Sequence, residues 1–148
     1  MHLVVDASVA VKWFAEEEDA ERASLLASGA EEIHCPHLLV SEVGSALWRK
    51  VLRGELEFGM ASARLASLAR MPIMWHADEM LGADCLRLAL AHDRTVYDCM
   101  YLALAYRLNA RLVTADLRFA NALAATDAGS MVLRLRDYPE GFAGPPDG

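Results

Sequence analysis

The stretch TVYDCMYLALAYRLNARLVTAD, residues 95–116, constrains the fold more than any other part of the chain. Residues 99–106 carry no charge and offer no face to water, so the helix they form is expected to be buried nearly all round. The helix begins near Asp98, which falls in its first turn, where the positive end of the helix dipole favours a carboxylate. Asn109 marks a turn, and Arg111 to Thr114 reads as a buried strand with Asp116 just past its C-terminal end. Two acids are thus fixed to the most apolar part of the chain. Taken alone, Asp98 also reads as a helix cap and Asp116 as a turn residue. The rest of the sequence decides between the readings.

Residues 2–6 are a short apolar run ending in Asp6, the pattern of a central parallel strand covered on both faces. Asp6 is then at the C-terminal end of a strand, where open α/β folds place their sites. Residues 9–14 continue as a helix that Ser8 is placed to cap, and the acidic run 16–19 opens a second helix ending at Gly29. Residues 32–35 form a second strand. Pro36 suits the first turn of a helix running to Arg53 and stopped by Gly54. Glu42 lies beside the apolar stripe of that helix, where a carboxylate is costly unless compensated. A helix over 58–70, a strand over 73–76 and a helix capped by Asp78 and running to Ala91 follow, with His92 and Asp93 in a loop. After the central stretch come a helix over 117–125 and a last strand over 131–135.

Strands alternating with helices predict an α/β fold, a three-layer α/β/α sandwich around a central, mostly parallel sheet of about five strands. The 148 residues suffice for one domain with a real core. Neither nucleotide-binding glycine fingerprint is present. No apolar run is long enough to span a membrane, and MHLVV opens as a strand rather than a leader segment. Cys35, Cys85 and Cys99 lack metal-site spacing and read as buried, reduced thiols of a cytoplasmic protein. His34-Cys35-Pro36-His37 is too tight in spacing for one tetrahedral zinc site and has no second ligand pair nearby in sequence. The net charge of −7 argues against a broad basic nucleic-acid surface but not against an acid cluster offset by a metal. Most basic groups, including Arg49, Lys50 and Arg53 at one helix end, read as ordinary solvated charges.

In a parallel sheet Asp6, Glu42, Asp98 and Asp116 can meet at one end. Like charges ~6 Å apart at an effective dielectric near 20 cost ~3 kcal/mol per pair, so such a cluster requires a cation. All-oxygen ligation selects a hard ion, Mg²⁺ or Mn²⁺.

Three stretches together resemble the PIN-domain family, specifically the VapC-type toxins of bacterial toxin–antitoxin pairs, over roughly residues 3–135. VVDASVAVKWFAEEE resembles the first motif, with Asp6 as its acid and Ser8 beside it. CPHLLVSEVGSALWRKVLRGEL resembles the second, with Glu42. TVYDCMYLALAYRLNARLVTAD resembles the third and fourth, with Asp98 and Asp116, and Thr114 beside the site. The chain departs from many relatives at Ser45, where asparagine is common, at Cys99, where alanine is commoner, and at Phe119, a position acidic in some members. The resemblance implies a PIN-like nuclease domain over 1–136 with a loose tail over 137–148. It implies a Mg²⁺- or Mn²⁺-dependent endoribonuclease with Asp6 and Asp98 as main metal ligands. Glu42 and Asp116 complete the cluster, directly or through water, and Ser8 and Thr114 orient water or ligands. Water activated by the ion attacks phosphorus in line and leaves a 3′-hydroxyl. RNA as substrate, a cognate VapB-type antitoxin and a homodimer are further implications. Two other readings stand beside it: a PIN-fold binding module without catalysis, and an aspartyl-phosphate phosphatase with Asp6 as nucleophile. The latter class usually has a second Asp two residues on, where this chain has Ser8.

Overall fold

A computed structural model describes residues 2–139. Five parallel strands form one sheet in the order β3-β2-β1-β4-β5, with β1 His2–Val5, β2 Glu32–Pro36, β3 Ile73–His76, β4 Arg111–Thr114 and β5 Val132–Arg134. The expected parallel α/β sandwich is what the chain forms. Leu3, Val4 and Val5 of β1 and Leu112 and Val113 of β4 are fully buried, as strands covered on both faces must be.

The connecting helices are α1 Ala7–Ala10, α2 Ala20–Ala27, α3 Leu38–Leu52, α4 Phe58–Leu68, α5 Gly82–His92, α6 Val96–Leu108 and α7 Leu117–Ala124. From β1 through β2 to β3 the chain steps one way across the sheet, and from β3 to β4 and β5 it steps the other way. Right-handed crossovers therefore put α1 to α4 on one face and α5 to α7 on the other. The reversal happens at β1, whose neighbours are β2 and β4. Connections leave the C-terminal ends of β1 and β4 toward opposite layers and open a crevice between them, the usual ligand position in open parallel sheets.

Helix α6 is the expected buried helix: Cys99 and Tyr101 to Ala105 are all at most 2% exposed. It starts at Val96, earlier than Asp98, because the Thr95 hydroxyl caps it by accepting from the Asp98 N–H at 3.1 Å. Asn109 ends it in the left-handed conformation (φ 49°), which Asn tolerates better than most residues.

Several local expectations are corrected. The first helix is a single turn followed by a 3₁₀ segment, Val11–Trp13, and its cap is Asp6, not Ser8. Ser8 is instead turned toward Asp6 and β4. Pro36 is the last residue of β2, not the first turn of α3. The β1 ladder stops at His34, and the next bond to β3 runs from the His37 N–H to the His76 carbonyl (3.0 Å), so the N–H that Pro36 lacks is not called on. Asp78 lies in a 3₁₀ turn and does not cap its own helix; its carboxylate accepts from the Leu38 N–H at 3.0 Å and so caps α3 from across the sheet edge. His92 closes α5 rather than sitting in a loop, with its side chain buried about 4.0 Å from Asp127. The last strand spans only Val132–Arg134, between two 3₁₀ turns. Of the expected tail, Asp137 ends one of those turns and Tyr138 is 4% exposed; residues 140–148 lie outside the described residues. All three cysteines are buried free thiols.

A candidate active site at the sheet switch point

Asp6 follows the last residue of β1, and the Val5–Val113 register sets it beside Thr114 of β4. Both its oxygens are held. Ser8 Oγ donates to Oδ1 at 2.5 Å and Thr114 Oγ1 donates to Oδ2 at 2.5 Å, while the Val9 N–H reaches Oδ1 at 3.3 Å. The two hydroxyls are themselves anchored by backbone: Ala115 N–H donates to Ser8 Oγ (2.9 Å) and Asp116 N–H to Thr114 Oγ1 (3.1 Å). The carboxylate thus has one orientation, set by the β1–β4 pairing. Burial pushes its pKa up to about 6 against the pull of those hydrogen bonds, and the Asp116 charge adds to the rise.

Asp116 caps α7, with Oδ1 accepting from the Phe119 N–H at 3.1 Å. Asp98 projects from the first turn of α6 on the opposite layer from α3. Burial raises its pKa first of all, and the Asp116 charge raises it further. Glu42 comes from the middle of α3, and Tyr101 Oη of α6 donates to its Oε1 at 2.6 Å. Burial also raises the Glu42 pKa, with Asp98 as the charged neighbour. The compensation that a carboxylate beside an apolar stripe needs is therefore the Tyr101 hydroxyl.

Asp6, Ser8, Glu42, Asp98 and Asp116 line one cavity of about 300 Å³, together with Ala7, Val11, Ala46, Arg49 and Tyr101. Thr114 stands behind its wall and donates to Asp6. Four acids from four elements, 110 residues apart at their extremes, thus share one space at the crevice between β1 and β4. Cys99 and His92 are not part of it.

Two polar lining residues, Arg49 and Tyr101, were not singled out as site residues from sequence. Tyr101 is three residues after Asp98 and Arg49 seven after Glu42, spacings that return to the same helix face. Read with the acids as a fixed point, that periodicity would have found both. Lys50 and Arg53, the neighbouring cations, are tied to Glu17 and Glu55 at the surface, so Arg49 is the basic group of that helix end that faces the acids.

The chain is 37% identical over 122 residues to Ribonuclease VapC3 of Pyrobaculum aerophilum, covering 81% of this chain and 93% of that one. It is 35% identical over 126 residues to Ribonuclease VapC9 of Mycobacterium tuberculosis, covering 80% and 89%. Among solved structures, that of PAE2754 from Pyrobaculum aerophilum superposes with a TM-score of 0.66 at 23% identity, over 92% of this chain and 85% of that one. Residues 3–123, which contain every acid of the cavity, match the PIN domain, and the chain belongs to the PIN domain family.

Proposed function

We propose that this chain is a divalent-cation-dependent endoribonuclease, the toxin of a toxin–antitoxin pair, which hydrolyses RNA phosphodiester bonds at the four-acid cavity. The observation that carries this reading is the convergence of Asp6, Glu42, Asp98 and Asp116 on one cavity, with a single lining cation, Arg49. Relatives named as ribonucleases support it.

The donor set fits a hard ion. All four candidate ligands are carboxylates, and burial with mutual repulsion makes their ionised forms costly until a cation is present. Asp6 and Asp98 would hold Mg²⁺ or Mn²⁺, with Glu42 and Asp116 completing the set directly or through water. Such an ion supplies Lewis-acid activation of water and charge stabilisation at phosphorus. The protein's own groups do the positioning. Tyr101 fixes one oxygen of Glu42 and the Phe119 N–H fixes one oxygen of Asp116, which leaves the second oxygen of each to accept from an attacking water. Ser8 and Thr114 lock Asp6. Arg49 at the cavity wall pairs with the phosphate of the strand being cut, and in-line displacement leaves a 3′-hydroxyl.

The same acids make a receptor for an arginine of a cognate VapB-type antitoxin. On α3 and α4, Trp48, Leu52 and Phe58 are 60%, 66% and 76% exposed, an apolar surface for that partner to cover. The working unit is a homodimer. No helix among the described residues is long and apolar enough to cross a membrane.

The test is Asp98→Asn. RNA cleavage with Mg²⁺ or Mn²⁺ should fall by about 100-fold or more, as expected when a group acting in the transition state is lost, with the circular dichroism spectrum unchanged. Wild-type cleavage by that variant sinks the assignment, and a neighbouring-gene product that neither co-purifies nor blocks cleavage sinks the antitoxin half.

A further inference from the structure

A second group of ligand-type side chains lies away from the acid cavity. His2 pairs with Glu32 across β1 and β2, His34 is one pleat further along β2, and His76 ends β3 opposite Pro36. Period-two alternation puts all four on one face of the sheet. His2 stands at the opposite end of β1 from Asp6, ~13 Å away at ~3.3 Å per residue.

Three of their atoms converge. His2 Nδ1 lies 2.8 Å from Glu32 Oε2 and 3.0 Å from His34 Nε2, and His34 Nε2 lies 3.7 Å from Glu32 Oε2. Each of the three atoms presents a lone pair when unprotonated, the state in which imidazole and carboxylate ligate a metal. The other nitrogen of His34, Nδ1, is 2.9 Å from His76 Nε2; a proton on Nδ1 donated to His76 leaves Nε2 as a lone-pair atom facing His2 and Glu32. A single cation can take all three lone pairs at once. A tetrahedral ion with bonds of ~2.0–2.1 Å holds its ligand atoms ~3.3 Å apart, and the three edges bracket that value.

We propose that His2, Glu32 and His34 form a second cation site, for a borderline-soft divalent ion of the zinc class. Two imidazoles and one carboxylate are a nitrogen-rich set that such ions favour and Mg²⁺ does not. His34 is 6% exposed, and His76 fixes its ring, the outer-shell support typical of ligating histidines. The His2 and Glu32 side chains are 48% and 57% exposed, so the ion enters from solvent and keeps water as its fourth ligand. It fastens the start of β1 to β2. Contiguous His34-Cys35-Pro36-His37 does not make this site; the ligands come from two adjacent strands, a pairing the spacing along one strand does not display.

The experiment titrates Zn²⁺ calorimetrically into the full chain in a large excess of Mg²⁺, which occupies oxygen-only sites. One Zn²⁺ per chain is expected. Glu32→Gln and His2→Gln, both at the exposed rim where the core is untouched, should each weaken it tenfold or more. Asp6→Asn/Asp98→Asn should keep it, and Co²⁺ in place of Zn²⁺ should give visible bands and shift the histidine proton resonances. No saturable Zn²⁺ binding, wild-type affinity in either rim variant, or loss of binding in the double acid variant overturns the proposal.

Discussion

Asp6→Asn offers a test of the cavity's electrostatics that needs no substrate. The folded pKa of Asp6 is about 6 against an ordinary value of 3.8, chiefly through burial. At ~1.36 kcal/mol per unit, ionising it in the metal-free fold costs about 3 kcal/mol. Folded Asp6 keeps its proton up to about pH 6, whereas the unfolded chain releases it near 3.8. The wild-type fold therefore loses stability as pH rises between those values and levels off above them. Asparagine removes the charge, but its NH₂ must face a hydroxyl that now donates, either Ser8 or Thr114, which costs ~1 kcal/mol. The net gain at about pH 7.5 is ~2 kcal/mol, a rise in melting temperature of ~4–8 °C for a domain of this size. Below about pH 3 the carboxyl is neutral in both states, so the variant should melt slightly below wild type. Saturating Mn²⁺ or Mg²⁺ should reverse the order, because an ion at 100 times its Kd adds ~2.7 kcal/mol to the wild type and little to the variant. The assay is thermal melting of both proteins in EDTA and in Mn²⁺ across that pH range. A variant less stable than wild type in EDTA at about pH 7.5, or a difference between the two that ignores pH, refutes the reasoning.

Arg49→Ala should raise KM for RNA with kcat nearly kept and lower the salt slope of binding by about 1, as for a single phosphate contact; salt-dependent binding isotherms measure it. Tyr101→Phe leaves Glu42 Oε1 without its donor, so it should cost ~1–2 kcal/mol in a denaturant melt and lower kcat through a misplaced carboxylate. Thr95→Ala removes the α6 cap and should cost ~1 kcal/mol, or ~2–4 °C of melting temperature, with cleavage reduced because Asp98 sits in the uncapped turn.

The architecture was legible because its signals are local and strong. The uncharged run 99–106 and the apolar strands ending in acids are period and burial patterns that need no partner to be read. Asp6, Glu42, Asp98 and Asp116 were legible as candidates because each sits at an element end or beside an apolar stripe. What failed were readings in which a residue's partner is remote in sequence. Asp78 looks like a cap for the helix that follows it, yet its carboxylate is taken by Leu38, 40 residues back. Pro36 looks like a helix starter, but β2 runs two residues beyond its ladder with β1, where a missing N–H costs nothing. Ser8 was outcompeted as a cap by Asp6, which is held in place by Thr114. Tyr101 is hidden inside an apolar run because its hydroxyl's partner is on α3.

The β1–β4 pairing has a consequence in time as well as in space. Asp6 belongs to the first strand made, but the hydroxyl that orients it belongs to Thr114, 108 residues later. Asp98 and Asp116 are synthesised late too, and α6 packs on β4 as well as on β1, β2 and α5. A growing polypeptide therefore carries an incomplete cavity until the segment through Asp116 has left the ribosome. A product that stops before Asp116 lacks one acid of the cavity. The cavity is therefore completed only late in synthesis, once residue 116 of 148 is in place.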